Sequence, residues 1–272
     1  MSHLKKLMKS FRSALVLAGA LTCTGCFQSS TVMTLKADGS GTIDQRILFS
    51  QAAVAQLRQL AALGGGAGQD VDPMSEQQAR EAAATMGKGV TYLSSTPINT
   101  SEGVGRDIKY AFTDITQLRL DQAPPAPGGM PIPPPATDAG GGRVSFTLAR
   151  QADGHALLKI AVPQLPALGG DRASPSSNSP SADQIAMLKP MFAGARLSIA
   201  IEPAGRLVRT SSPYVDGQRV TLLDVNVDSL LGDDTLLPRL QAAGTPDEAK
   251  TILKSVPGLK INLDPEITIE FE

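Results

Sequence analysis

The sequence is poor in the residue types that most often carry out catalysis or bind metals. It has no tryptophan, 4% aromatic residues, two cysteines and two histidines among 272 residues. Both cysteines, Cys23 and Cys26, precede residue 27, so residues 27–272 cannot form a disulfide or a thiolate site. His155 is the only histidine after residue 26, which excludes a metal site with several histidine ligands. Its place beside Asp153-Gly154 is typical of a surface turn.

Catalytic motifs are lacking as well. The sequence has no G-x-S-x-G motif, and the glycines of 64–68 are not followed by the Lys-Ser/Thr of a phosphate-binding loop. We therefore expect no enzyme activity, no cofactor and no metal. The densest acidic cluster leaves one alternative open, a periplasmic hydrolase with paired carboxylates. That cluster comprises Asp224, Asp228, Asp233 and Asp234.

The charge distribution also restricts the partners. Residues 1–25 contain four basic residues and no acidic one, which leaves 21 basic and 26 acidic residues in 26–272, a net charge of −5. A mildly acidic chain lacks the basic face that nucleic acids require. It also gains no electrostatic attraction to anionic lipids, so any membrane attachment must come from another source.

The N-terminal segment has the order of a secretory signal. Residues 1–12 are basic, residues 14–21 are uncharged and mostly apolar, and small residues follow up to Gly25. The apolar stretch is too short for a permanent anchor, because a spanning helix needs about 20 apolar residues. We therefore expect residues 1–25 to be a cleaved signal peptide.

The segment Cys23-Thr24-Gly25-Cys26 resembles a lipobox, the cleavage motif of bacterial lipoproteins. The resemblance implies cleavage before Cys26 and attachment of diacylglycerol and a further acyl chain such as palmitate to that residue. Cys23 stands where an aliphatic residue is usual. Phe27, in place of an aspartate, implies an outer-membrane position facing the periplasm, with the inner membrane and the cell surface as alternatives. An ordinary signal peptide that releases a soluble periplasmic protein is the other interpretation.

Alternating strands and short helical segments predict an α+β fold with a mostly antiparallel sheet. The sequence predicts a lipidated tether over 26–31 and a periplasmic domain over 32–272, with flexible Pro/Gly/Ser-rich insertions at 122–142 and 163–181. Two subdomains divided near residue 170 are the alternative. Strands are expected over 32–36, 42–49, 90–94, 108–112, 144–148, 156–162, 197–201, 206–210, 219–227 and 267–271, and helices over 51–63, 75–86 and 182–189 and from Thr245 to Pro257.

The run Thr31 to Thr42 contains Asp38-Gly39-Ser40-Gly41-Thr42 between two predicted strands. After a lipobox, this run resembles a loose group of bacterial lipoproteins that begin with a DGSGT hairpin, LppM-like proteins among them. Residues 201–205 and 216–222 are similar to a hairpin that recurs in the group. The resemblance implies a lipid-anchored, non-enzymatic envelope domain and assigns no catalytic residue.

The expected function is that of an envelope lipoprotein that binds or scaffolds another envelope component. Its contact with the membrane is made through the lipid on Cys26. Besides the hydrolase, a carrier of hydrophobic ligands is an alternative, and it requires an apolar cavity between sheet and helices.

Overall fold

The structure, a computed structural model, describes residues 27–55, 58, 75–119, 144–162 and 194–272. The predicted signal peptide (1–25), Cys26, the predicted insertions (122–142 and 163–181) and the predicted helix over 182–189 lie outside these residues. Within the described ranges, mostly antiparallel strands combine with short helices, which confirms the predicted α+β class.

The strands of the described residues form two sheets. In chain order they are β1 (Phe27–Leu35), β2 (Gly41–Ser50), β3 (Val90–Asn99), β4 (Gly103–Phe112), β5 (Ser145–Arg150), β6 (Ala156–Ala161), β7 (Arg196–Pro203), β8 (Leu207–Thr210), β9 (Val215–Asp216), β10 (Arg219–Asn226), β11 (Lys260–Ile261) and β12 (Glu266–Phe271). The larger sheet has the order β11-β10-β7-β1-β2-β4-β3, with β9 paired to β10. The smaller sheet has the order β5-β6-β12-β8.

Strand β1 occupies the centre of the larger sheet. It pairs antiparallel with β2 and parallel with β7. It begins at Phe27, five residues before the predicted start at Val32, so residues 27–31 form a strand and the prediction of a tether over 26–31 is wrong for them. Ser29 and Thr31 are buried, because small hydroxyl side chains fit a central strand although they give no hydrophobic alternation. Backbone pairing on both sides holds this polar segment in place.

A tight hairpin joins β1 to β2, as the Asp-Gly-Ser-Gly sequence predicts. Gly39 has a φ of 89°, a left-handed conformation that glycine adopts without steric cost. Asp38 Oδ1 accepts hydrogen bonds from the backbone N–H of Ser40 at 2.9 Å and from its hydroxyl at 2.7 Å. These bonds stabilise the ionised carboxylate and lower the pKa of Asp38.

Both sheets contribute to a common hydrophobic core. Its strands come from both sides of residue 170, and each sheet combines strands from both halves of the chain, which does not fit a division into two subdomains there. Burying these side chains is the main favourable contribution to folding. Fully or almost fully buried members include Met33, Leu35, Ile43, Ile47, Phe49 and Tyr110 from the larger sheet and Leu158, Ile160, Ile267, Ile269 and Phe271 from the smaller one.

Helices cover parts of this framework. In the described residues they are a helical turn over 51–55, α1 (Glu76–Thr85), a 3₁₀ turn (Ile115–Gln117), α2 (Val227–Leu231), α3 (Leu236–Ala242) and α4 (Pro246–Lys254). Ser50 accepts a hydrogen bond from the N–H of Ala53 at 3.1 Å, which confirms the predicted helix start there. Ser75 and Gln78 form a capping box at α1. Most of the predicted stretch up to residue 63 lies outside the described residues.

The predicted start of the last helix is also confirmed. Thr245 accepts a hydrogen bond from the N–H of Glu248 at 3.3 Å, and Pro246 occupies the first turn. The sequence does not predict helices α2 and α3, because each is shorter than two full turns of an amphipathic pattern. Leu236, Val256 and Leu259 form a second, smaller hydrophobic cluster beside the edge of the larger sheet.

Candidate functional site

The start of β1 is the part of the structure closest in sequence to the predicted lipid attachment residue. Cys26 itself lies outside the described residues, but Phe27 is its covalent neighbour and the first residue of the central strand. The Phe27 ring contacts the buried ring of Phe49, with 5.1 Å between centroids. An attachment point at Cys26 would therefore be one peptide unit away from a strand that is paired on both sides.

The strand register shows which other segments lie at this end of the larger sheet. Phe27 pairs with Phe49 near the end of β2, Phe49 pairs with Val104 near the start of β4, and Gln28 pairs with Arg196 at the start of β7. We call this set of strand termini the anchor end.

Among the described residues, none of the helices has the length and apolar character needed to span a membrane.

The four aspartates on which the hydrolase alternative depends have separate structural roles. Asp224 on β10 forms a bidentate ion pair with Arg196 on β7, with distances of 3.0 Å from Nε to Oδ1 and 2.9 Å from Nη2 to Oδ2. This carboxylate and the hydrogen bonds that it accepts raise the pKa of Arg196. The pair links the start of β7, at the anchor end, to the neighbouring strand β10.

The other aspartates of the cluster lie at the exposed surface. Asp228 accepts a hydrogen bond from the N–H of Gly194 at 2.8 Å. Asp233 accepts hydrogen bonds from the hydroxyl of Thr235 at 2.6 Å and from its N–H at 2.9 Å, and these bonds lower the pKa of Asp233. The side chain of Asp234 is exposed as well. Such contacts are typical of turns and helix ends, so they give the hydrolase alternative no support.

The described residues include a groove between two helices, whereas a carrier requires a cavity between the sheet and the helices. The groove lies between α3 and α4, has a volume of about 530 Å³ and is open to solvent. Ala242, Ala243 and Ile252 form its apolar part, and Arg239 and Asp247 also line it. The carrier alternative expects a cavity between sheet and helices, and this groove does not match that description.

The structure also assembles a polar cluster that the sequence does not predict. The turn between β5 and β6 contains Asp153, Gly154 and His155, and its Gly154 has a φ of 90°. The N–H of His155 donates to Asp153 Oδ1 at 3.1 Å, and its carbonyl accepts from the N–H of Gln151 at 2.8 Å. These backbone contacts fix the position of the imidazole at the end of the smaller sheet.

Strand β12 brings two glutamates to the same place. Phe271 pairs with Ala156, so Glu270 and Glu272 lie on either side of that register position, on the outer face of the sheet. His155 Nδ1 lies 3.2 Å from Glu270 Oε1 and 3.4 Å from Asp153 Oδ2, and Nε2 lies 3.7 Å from Glu272 Oε1. We call Asp153, His155, Glu270 and Glu272 the His155 cluster.

Two arginines complete the electrostatics of the His155 cluster. Arg209 on β8 donates to Glu270 Oε2 at 2.7 Å, and Arg206 forms an ion pair with Glu272. The hydrogen bond from His155 and then that from Arg209 lower the pKa of Glu270, while Arg206 lowers the pKa of Glu272. The Glu270 side chain is only 10% exposed, so an ionised carboxylate there requires these partners.

No family model matches the sequence, and no curated protein matches it. Among solved structures, the chain is similar to the folded domain of the LppM protein of Mycobacterium tuberculosis, with 11% identity and a TM-score of 0.31. The alignment covers 76% of this chain and 86% of the LppM domain. A likeness at this TM-score establishes neither a common fold nor a common function.

Proposed function

We propose that the protein is a lipid-anchored envelope lipoprotein with a non-catalytic role in binding or scaffolding. The observation that carries the proposal is the order basic segment, apolar segment, small residues and cysteine that ends at Cys26. Because the rest of the chain is acidic, covalent lipid is the source of membrane affinity in this proposal. Each buried CH₂ of an acyl chain contributes about 0.8 kcal/mol, so two or three chains give stable anchoring.

In this proposal the lipid anchor lies directly beside the folded domain. Since β1 begins at Phe27, a lipid on Cys26 is separated from the paired strand by one Cα–Cα step of about 3.8 Å. The anchor end of the larger sheet then faces the headgroups, and the His155 cluster and the other outer surfaces remain open to envelope partners. The proposed partner is another envelope component, and the proposed location is the periplasmic face of the outer membrane.

Acyl labelling tests the anchor. Cells that express the full chain, Cys26→Ser or Cys23→Ser are fed a radiolabelled fatty acid, and soluble and membrane fractions are compared. We expect the native chain and Cys23→Ser to be labelled and membrane-bound, and Cys26→Ser to lose both properties. An unlabelled native chain in the soluble fraction would refute the lipoprotein assignment and favour the freely diffusing carrier or hydrolase.

Partner binding is tested separately. After crosslinking in intact cells, the native chain is purified from whole-cell lysates in a mild detergent, and the Cys26→Ser variant is purified in the same way as a matched control for membrane position. The proposal expects one envelope component to be recovered repeatedly with the native chain. Recovery of nothing above background in repeated experiments would contradict a scaffolding role and leave the anchor itself untouched.

A further inference from the structure

The His155 cluster has the composition of a metal site rather than that of a simple ion pair. Its imidazole is surrounded by three carboxylates, although one imidazole offers at most two N–H groups. Both Asp153 and Glu270 approach the same ring nitrogen, Nδ1, at 3.4 and 3.2 Å. A lone N–H cannot point at two oxygens with good geometry, so at most one of these carboxylates can accept a good hydrogen bond from Nδ1.

Two of the three distances between the ligand atoms fit a bound zinc ion. Zinc binds imidazole nitrogen and carboxylate oxygen at about 2.0–2.1 Å, so neighbouring ligand atoms of a tetrahedral site are roughly 3.3–3.4 Å apart. The two distances from Nδ1 match this edge length. One ligand atom from each of Asp153, His155 and Glu270 lies within 4.8 Å of the other two.

The surrounding contacts hold the ligands in place and leave the required atoms available. Arg209 binds Oε2 of Glu270, so Oε1 remains directed at the imidazole side. Asp153 uses Oδ1 for the N–H of His155, so Oδ2 remains directed at Nδ1. Glu272 lies on the opposite side of the ring, 3.7 Å from Nε2, which is beyond hydrogen-bond distance, and it is ion-paired with Arg206.

We propose that Asp153, His155 and Glu270 form a binding site for a divalent transition metal of the zinc class, with Nδ1 as the nitrogen ligand and a fourth position open to water or to a partner. An imidazole ligand disfavours magnesium and calcium, which prefer sites made only of oxygen and with more ligands. The carboxylates of Asp153 and Glu270 balance the charge of the ion, and Arg206 balances that of Glu272.

The site lies on the outer face of the smaller sheet, at the end of β12. Its ligands come from the β5–β6 turn and from β12, which are 115 residues apart. A metal there would join the hairpin to the C-terminal strand. With an open fourth position, it could also accept a ligand from an envelope partner.

Zinc titration tests the site in the full chain, purified in detergent and freed of metal with a chelator. Isothermal titration with ZnCl₂ is expected to give one ion per chain for the native protein. His155→Ala and Glu270→Gln are expected to weaken binding by about tenfold or more. Glu266→Gln is the matched control: it lies on the same strand, pairs with Lys159 instead and should bind zinc as the native chain does.

A second measurement keeps the proposal testable if these variants fold poorly. Asp153 is more than half exposed, and an asparagine there keeps the acceptor for the N–H of His155, so Asp153→Asn should fold normally and still bind zinc more weakly. With ¹⁵N-labelled histidine, zinc is expected to shift the Nδ1 resonance of His155 at one equivalent. The absence of binding, or binding that none of the three variants weakens, would overturn the proposal.

Discussion

The hydroxyl of Tyr110 links the larger sheet to helix α1. The side chain is fully buried, its hydroxyl donates to the carbonyl of Ala79 at 3.0 Å, and its ring meets the edge of Tyr92 with 6.2 Å between centroids. Tyr110→Phe removes the hydroxyl and retains the ring packing. A buried hydrogen bond contributes about 1–1.5 kcal/mol net, so we expect the free energy of unfolding at pH 7 to fall by about that amount.

The pKa of the same hydroxyl leads us to expect that the folded protein loses stability in alkali. Burial, and then the neighbouring Tyr92, raise the pKa of Tyr110 to about 12 from the ordinary value of 10. The folded state therefore favours the protonated form, so this contribution is complete below pH 10 and is lost as the pH rises towards 12. One pKa unit corresponds to 1.36 kcal/mol, which gives a loss on the order of 2–3 kcal/mol for the native chain.

Urea unfolding at pH 7, 9, 10, 11 and 12 measures both effects. Tyr214→Phe, the same atomic change at a half-buried position, is the matched control and should change stability less at pH 7. Because the sequence has no tryptophan and three tyrosines, absorbance at 295 nm also follows tyrosinate formation directly. The last alkaline step should be absent in Tyr110→Phe. Equal stability of the variant and the native chain at pH 7, together with an unchanged alkaline step, would refute the reasoning.

Two further substitutions test packing. An added Cβ at Gly41 would clash with the backbone carbonyl oxygen of Thr34 and come within 2.5 Å of the Phe112 ring, so Gly41→Ala should lower the midpoint of urea unfolding, with a cost of about 1–3 kcal/mol or more. At Gly244 the nearest atom is 3.6 Å away, so Gly244→Ala should leave the midpoint nearly unchanged. Ile201→Ala should lower the free energy of unfolding by about 2–5 kcal/mol, because Ile201 is fully buried in the core. Leu93→Ala should lower it by less than about 1 kcal/mol, because Leu93 is 51% exposed. Similar midpoints of urea unfolding for these two variants would contradict the assigned core.

The features that were predicted from the sequence depend on local chemistry. Thr245 and Pro246 specify a helix start by themselves, and the hairpin at Gly39 needs only the residues on either side of it. The alternation of Ile267, Ile269 and Phe271 predicts a half-buried strand, and all three side chains are buried. Each of these signals spans fewer than ten residues.

The features that were missed depend on distant pairing. Ser29 and Thr31 give no hydrophobic signal, and only β2 and β7 on either side make them part of a strand. In the same way, β3 continues to Asn99 past its polar residues because β4 pairs with it along its whole length, with a bulge between Tyr92 and Ser94.

The His155 cluster shows the same limit for the candidate site. Glu270 and Glu272 look like ordinary solvent-facing residues of an alternating strand, and the sequence contains no motif that connects them to His155. Their proximity follows from the register between β6 and β12. The predicted lipid attachment at Cys26 is different, because the prediction depends on a contiguous sequence motif and on no tertiary contact.

The parallel pairing of β1 with β7 has a consequence for the timing of folding. Gln28 pairs with Arg196, which lies 168 residues further along the chain. The central strand of the larger sheet therefore cannot complete its pairing before that segment is available. Contacts of such long range slow folding, because a large loop must close before they form. If the chain is exported from its N-terminus, as proposed, the larger sheet cannot be completed until residue 196 has emerged, after more than two thirds of the polypeptide. The topology itself would then leave the side of the central strand that pairs with β7 open for most of the export process.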